Sequence, residues 1–271
     1  MLKINCKLVK RILVRFIREE LQKFGFYRGI IGLSGGLDST VCCYLAKEAL
    51  GEKNIVALIL PYKDLNKKDV EDAKEIAKKL GISYKVIDIS PMVDAYFEKY
   101  PTENKILIGN KMARERMSIL YDFSARENAL VIGTSNKSEL LLGYGTIHGD
   151  LAWAISPLGD LYKTQIFQLA QYLGVPEKII KKIPSAGLWQ DQTDEGEIGI
   201  TYSEIDEILY QLIDMRKSPE EVISSGYDKE KVDRIVSLIR VSQFKRKMPP
   251  IAKISLRTVG LDFLYSRDWY K

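Results

Sequence analysis

The chain has 271 residues, 46% hydrophobic and 28% charged, the composition of a globular protein able to bury a sizeable core. Its 41 Lys and Arg against 36 Asp and Glu leave a net charge of +5, too dilute for a nucleic-acid coat and suited to anionic small-molecule substrates. No apolar run reaches the roughly 18 residues of a membrane span. The first residues lack an apolar stretch and a small-residue cleavage site, so a secretory signal is not expected, and three cysteines with one histidine, His148, argue against a disulfide scaffold and a His-rich zinc site.

Residues 7–24 are predicted to form an amphipathic helix, with Leu8, Ile12, Phe16 and Leu21 at helical spacing among lysines and arginines. Residues 29–33 form a buried strand running into Ser34-Gly35-Gly36, and residues 40–50 a helix stopped by Gly51. A second buried strand spans 55–60, a charged helix 67–80 closes at Gly81, and a third strand spans 84–89. A helix over 114–126 precedes a fourth strand over 129–132, which ends in Gly133-Thr134. Strands alternating with helices predict an α/β fold: an open, mostly parallel sheet with helices on both faces. Beyond that come a helical turn at 138–142, an irregular stretch at 143–159 and a helix over 164–173. Residues 183–199 are predicted as a long mobile loop, and 203–213, 219–224 and 229–241 as helices. The expectation is one domain over 1–271, with a helical C-terminal part from about 200 and a basic, then aromatic, tail from about 242.

The chemistry centres on Gly32-Leu33-Ser34-Gly35-Gly36-Leu37-Asp38-Ser39. A strand ends in a glycine turn and a helix begins at once, so backbone N–H groups and the helix N-terminus suit a phosphate. Ser34 and Ser39 add hydroxyls. Asp38 faces phosphate favourably only with a bridging cation such as Mg²⁺; read alone, it also fits a helix cap. No G-x-x-x-x-G-K-[ST] is present, and Gly143, Gly145 and Gly149 have the wrong spacing for a dinucleotide fingerprint.

Ser34-Gly35-Gly36-Leu37-Asp38-Ser39 resembles the S-G-G-x-D-S signature of the N-type ATP pyrophosphatases. Gly109-Asn110 through Ala113-Arg114-Glu115-Arg116-Met117, Gly133-Thr134 with Glu139, Pro157 to Gln165, Pro184 to Trp189 and Gln192 to Glu195 resemble, in order, segments of the NAD synthetases. That resemblance implies a Rossmann-like nucleotide hydrolase fold and ATP-dependent amidation of deamido-NAD by ammonia through an acyl-adenylate. It implies that residues 32–39, Thr134, Lys163 and Ser185 bind ATP, with Lys163 on the polyphosphate. It implies that Asp38 and Glu139 bind Mg²⁺, and that Asn110, Arg114, His148, Asp150 and Lys245 bind the acceptor. Asp150 and Lys163 are the candidate catalytic residues. The resemblance further implies a cytoplasmic homodimer acting on small molecules, with no nucleic acid or membrane partner. The segment before Ser34 leaves no room for a fused glutaminase domain, so ammonia is the expected donor unless a separate glutaminase supplies it.

Ile147 and Ala154 stand where many family members carry lysine and aspartate, and Phe244 replaces a histidine, so that part of the acceptor site is expected to be built differently. Arg114 and Arg116 lie two apart on a helix and face different ways. Lys163 also fits a solvated lysine, Glu139 an exposed first-turn glutamate, and His148 a structural residue. Two other readings compete: pyrophosphatase chemistry on tRNA, and a non-catalytic ATP or AMP sensor. Cys42 and Cys43, which a sulfur-transfer enzyme would use, are expected to be buried packing.

Overall fold

A computed structural model describes residues 2–260 and Asp262. Its helices are α1 (Cys6–Lys23), α2 (Leu37–Leu50), α3 (Lys67–Leu80), α4 (Ser90–Lys99), α5 (Lys105–Arg126), α6 (Lys137–Leu142) and α7 (Lys163–Leu173). They are followed by α8 (Glu177–Ile180), α9 (Asp194–Ile198), α10 (Tyr202–Leu209), α11 (Pro219–Ser224) and α12 (Lys229–Val241). The strands are β1 (Arg28–Gly32), β2 (Ile55–Ile59), β3 (Ser83–Val86) and β4 (Ala129–Val131). They form one all-parallel sheet in the order β3-β2-β1-β4.

The alternation of side chains across the sheet explains its two covered faces. Ile31, Leu33, Ile55, Ala57 and Ile59 point to one side, where α1, α2, α3 and α7 close the core. Ile30, Val56, Leu58, Leu60 and Val131 point to the other, against Val93 of α4 and Met112, Met117 and Leu120 of α5. With both faces buried, β1, β2 and β4 read as apolar runs, whereas the edge strand β3, Ser83–Val86, is largely exposed. A third core gathers Leu142 and Tyr162 with the C-terminal helices through Ile198, Ile205, Leu209, Val222, Val232 and Ile235. Cys42 and Cys43 are fully buried, and burial pushes the Cys43 thiol up to about 12, so packing is their role.

The chain order reverses between β1 and β4. In open parallel sheets, ligands bind beyond the carboxyl ends of the strands at such a switch point. The turn after β1 and Gly133-Thr134 after β4 meet there.

Several elements depart from expectation. Helix α5 begins nine residues before the predicted start, because Asn104 caps it: its side chain accepts from Ile106 N at 2.9 Å and Leu107 N at 3.3 Å. The helix α4 went unpredicted; Pro91 opens its first turn. The stretch 183–199 is not an open loop. Thr193 caps the short helix α9, and Gln192 and Asp194 are buried. The basic start of the tail forms a short 3-10 helix over Gln243–Arg246; its aromatic end lies outside the described residues. No helix among the described residues is long and apolar enough to cross a membrane.

Candidate active site

Beyond the carboxyl ends of β1, β2 and β4 lies a cavity of about 670 Å³, well within the range of small-molecule sites. The turn after β1 forms one end. Gly35 has φ +80°, and a Cβ there would stand 2.2 Å from the Asp69 carbonyl oxygen, so only glycine fits. Hydroxyls set the turn in advance. Gly36 N donates to Ser34 Oγ (3.2 Å), the hydroxyls of Ser34 and Ser39 are 3.0 Å apart, and Thr40 Oγ1 donates to the Gly36 carbonyl (2.7 Å). No side chain caps the N-terminus of α2, which leaves its first N–H groups for an anion.

Lys163 enters this end from the first position of α7. A buried network places it: Lys163 N donates to Ser138 Oγ (3.0 Å), Ser138 Oγ to Asp206 (2.5 Å), and Thr164 N to Asp206 Oδ2 (2.8 Å). Lys163 is 3% exposed, so it is no solvated surface lysine. Its ammonium group donates to Asp38 and lies 3.8 Å from Glu139 Oε1. Burial pulls the Lys163 pKa down, but the carboxylates of Asp38 and Glu139 outweigh it and hold it above the ordinary lysine value. Burial, reinforced by Asp38, pushes Glu139 up to about 8. Asp194, on α9, also borders the cavity, and desolvation raises its pKa while Lys163 opposes the shift. This end therefore holds more carboxylates than cations.

The family resemblance implies Mg²⁺ at Asp38 and Glu139. Among the described residues no group of three or more His, Cys, Asp or Glu side chains is arranged to hold a metal. Asp38 nevertheless has a buried Oδ1 with no hydrogen-bond partner. A free carboxylate oxygen in an electronegative pocket fits a hard divalent cation that brings phosphate oxygens with it.

The other end is assembled from distant segments. Asn110 on α5 accepts from Thr146 Oγ1 (2.9 Å), and Thr146 N donates to Asp150 Oδ1 (2.8 Å). Lys245 donates to the carbonyls of Gly143 (2.8 Å) and Gly145 (2.7 Å). Asp150 lines the cavity and is exposed. Desolvation raises its pKa, offset in part by Thr146 and Lys245. Trp153 packs onto Gly133, where a Cβ would lie 2.4 Å from the indole Cγ.

Gly32, Leu33, Ser34, Gly36, Leu37, Asp38, Ser39, Asn110, Thr134, Glu139, Asp150, Lys163, Ser185 and Lys245 all line this cavity. Gly35 turns its carbonyl away to Lys182 Nζ at 2.8 Å. Arg114 and His148 do not line it. Arg114 is exposed and donates from Nε to the Ile147 carbonyl at 3.2 Å; His148 is exposed in a left-handed turn, φ +60°. Sequence reasoning missed Arg116, Asp194 and Lys182 on the wall. The signal for Arg116 was its spacing: Ala113, Arg116, Met117 and Leu120 share one face of α5 and all reach the cavity.

The sequence profile of the NAD synthase family matches residues 9–249. The chain is 51% identical to an NH(3)-dependent NAD(+) synthetase of Trichlorobacter lovleyi, over 100% of this chain and 99% of that one. It is similar to the structure of an NMN synthetase from Francisella tularensis, with a TM-score of 0.83 and 36% identity over 92% of this chain and 99% of that one. It is also similar to an NH3-dependent NAD synthetase from Campylobacter jejuni in complex with the nitrate ion, with a TM-score of 0.80 and 38% identity over 93% of this chain and 100% of that one. A cavity at the switch point of a parallel sheet, walled by the S-G-G-x-D-S turn, and a match along nearly the whole chain place this protein in the NAD synthase family.

Proposed function

We infer that this protein catalyses the ATP-dependent amidation of deamido-NAD with ammonia, giving NAD, AMP and pyrophosphate. The observation that carries this reading is one cavity with two unlike ends. A preformed anion turn with a buried lysine stands at one end, and the carboxylate of Asp150, held by the Thr146 N–H, at the other.

A carboxylate is a poor acyl donor, because oxide would have to leave. In the proposed reaction its oxygen attacks the α-phosphorus of ATP, the α–β bridging bond breaks, and pyrophosphate departs with the electron pair. Ammonia then attacks the carbonyl carbon of the acyl-adenylate, and AMP leaves. The turn at residues 34–39 and the N-terminus of α2 hold the polyphosphate, while Thr134 and Ser185 face the nucleotide. Lys163 stabilises the charge that grows on the leaving pyrophosphate. Asp38 and Glu139 would hold Mg²⁺, which supplies further neutralisation of phosphate charge. Lys163 already bonds Asp38, so the lysine serves as counter-charge to the carboxylates before the nucleotide arrives. Asp150 binds ammonium and takes the proton it must lose before attack. Asn110 and Lys245 orient the loop that carries Asp150. Arg114 and His148, outside the cavity wall, are left for the part of the acceptor that extends beyond it. The segment around residues 190–197 excludes water that would hydrolyse the adenylate. We further propose a cytoplasmic homodimer with the acceptor site near the subunit interface, fed by free ammonia or by a separate glutaminase.

The test is a product assay with Mg-ATP, deamido-NAD and either ammonium or glutamine. Ammonium-dependent NAD with AMP in equal amount is expected. AMP and pyrophosphate without NAD would move the acceptor elsewhere, tRNA included; no AMP at all would make the protein a nucleotide sensor.

A second reading concerns acceptor size. Ile147 and Ala154 replace two polar residues of the dinucleotide site, and a structural relative is an NMN synthetase. A mononucleotide acid is the acceptor in this reading. Comparing kcat/KM for nicotinate mononucleotide and for deamido-NAD decides between them.

A further inference from the structure

Arg116 has no part in the mechanism above. It lies on the cavity face of α5 and donates from Nε to the Leu60 carbonyl (3.0 Å), just past the end of β2. Among the described residues that is its one hydrogen bond, and no carboxylate lies within ion-pair distance. A guanidinium carries five N–H donors, so most of this one's remain unused inside a protein-walled space. Burying a cation without an anion is costly. Burial depresses the Arg116 pKa to about 10, with Asp150 as the opposing charge, so the group stays cationic at neutral pH.

We propose that Arg116 binds the acceptor's pyridine carboxylate and presents it to the α-phosphorus. This rests on the amidation reading above. The polyphosphate already has the turn at residues 34–39 and Lys163. The acceptor carboxyl is the anion that must approach both the α-phosphorus and the ammonia, because ammonia attacks its carbon. Arg116 and Asp150, the proposed ammonium site, line the same cavity. A planar guanidinium fork matches a planar carboxylate in two parallel hydrogen bonds. In the first step a carboxylate oxygen bonds to phosphorus and pyrophosphate leaves. In the second, one ammonium proton passes to Asp150, the freed nitrogen bonds the carbonyl carbon, the carbon–oxygen bond breaks so that AMP leaves with its electron pair, and a second proton leaves the nitrogen to solvent. The product amide carries no charge at this position, so Arg116 holds it less tightly than the acid.

The experiment is calorimetric titration of the full-length protein with deamido-NAD and with NAD, which differ only in acid against amide. The wild type is expected to prefer the acid by roughly tenfold or more. Arg116→Gln should bring that ratio to about one, and Arg116→Lys should keep part of it. Affinity for α,β-methylene ATP should stay within about twofold in both variants. Each ratio is taken on a single preparation, so partial unfolding does not imitate the effect. An unchanged ratio in Arg116→Gln, or a loss confined to the ATP analogue, overturns the assignment. A wild type that makes NAD but binds acid and amide equally removes Arg116 and leaves the amidation reading standing. A wild type that neither binds nor amidates deamido-NAD removes both.

Discussion

At the phosphate end of the cavity, consecutive residues from Ser34 to Ser39 supply the turn, the hydroxyls and the helix N-terminus. At the acceptor end, the wall comes from Asn110 and Arg116 on α5, Thr146 and Asp150 in the stretch after α6, and Lys245 after α12. The first end is local and made largely of backbone; its chemistry follows from where a strand stops. The second is made of side chains that meet only when the whole chain folds. Local backbone sites tolerate little change in residue type at a few positions.

The largest expected effect lies at the phosphate end. Lys163→Met removes the cation proposed to meet the leaving pyrophosphate, and kcat for AMP formation should fall by roughly 10³-fold. A loss of less than tenfold in a pyrophosphate-release assay would mean that Lys163 is only a structural counter-charge to Asp38 and Glu139. Asp150→Asn probes the opposite end. NAD formation should fall by roughly 10²-fold while ATP is still cleaved, so AMP outruns NAD. A wild-type-like kcat/KM for ammonium would remove Asp150 from proton handling. Together the two variants separate activation from amidation, and equal losses of AMP and NAD in both would erase the distinction between the ends.

Gly35→Ala tests how far the phosphate end depends on backbone alone. The new methyl would collide with a main-chain oxygen in a left-handed turn. The expected result is a stability loss of about 2 kcal/mol and a raised KM for ATP with the acceptor KM unchanged. Chemical denaturation and steady-state kinetics check both.

The same division governs what the sequence disclosed. Strands β1, β2 and β4 and the turn after β1 were legible, because apolar runs and a glycine turn are properties of neighbouring residues. The bounds of α3 and α12 were legible through helical spacing and, for α3, through Gly81 at its end. The start of α5 was not, since Asn104 follows Pro101 in a stretch that reads as loop. Residues 183–199 looked mobile because they are acidic and glycine-rich, yet Tyr202 donates to Asp194 at 3.1 Å and Tyr144 donates to Glu197 at 2.5 Å. Those partners are tertiary and leave no local pattern. Lys163 as buried counter-charge and Arg116 on the cavity wall were hidden for the same reason. Charge alone does not tell a solvated face from a lined one.

The smallest effect tests whether the phosphate end is as local as it looks. Lys182, just before the segment that closes the cavity, reaches back with three hydrogen bonds. They go to the Gly35 carbonyl (2.8 Å), Asp69 (2.8 Å) and the buried Asp72 (2.6 Å); Lys178 adds a contact to Asp72 at 2.8 Å. This brace ties the left-handed turn to α3 and to the distant chain after α8. Desolvation pushes the Asp72 pKa up, but the hydrogen bonds from Lys178 and Lys182 outweigh it and hold it below the usual 3.8. A carboxylate depressed on folding stabilises fully above its unfolded pKa, and that contribution disappears as pH falls through the folded value. Asp72→Asn should therefore cost about 1 kcal/mol at pH 7, and the difference from wild type should shrink at pH values below the usual 3.8. Denaturation curves at pH 7 and at pH values below that range measure this directly. The kinetics carry the sharper lesson. If the variant also raises the KM for ATP several-fold, the turn owes its shape to a lysine almost 150 residues away, and even the legible end of the site is completed by tertiary structure. An unchanged KM would leave the hydroxyl network of Ser34, Ser39 and Thr40 sufficient to hold it.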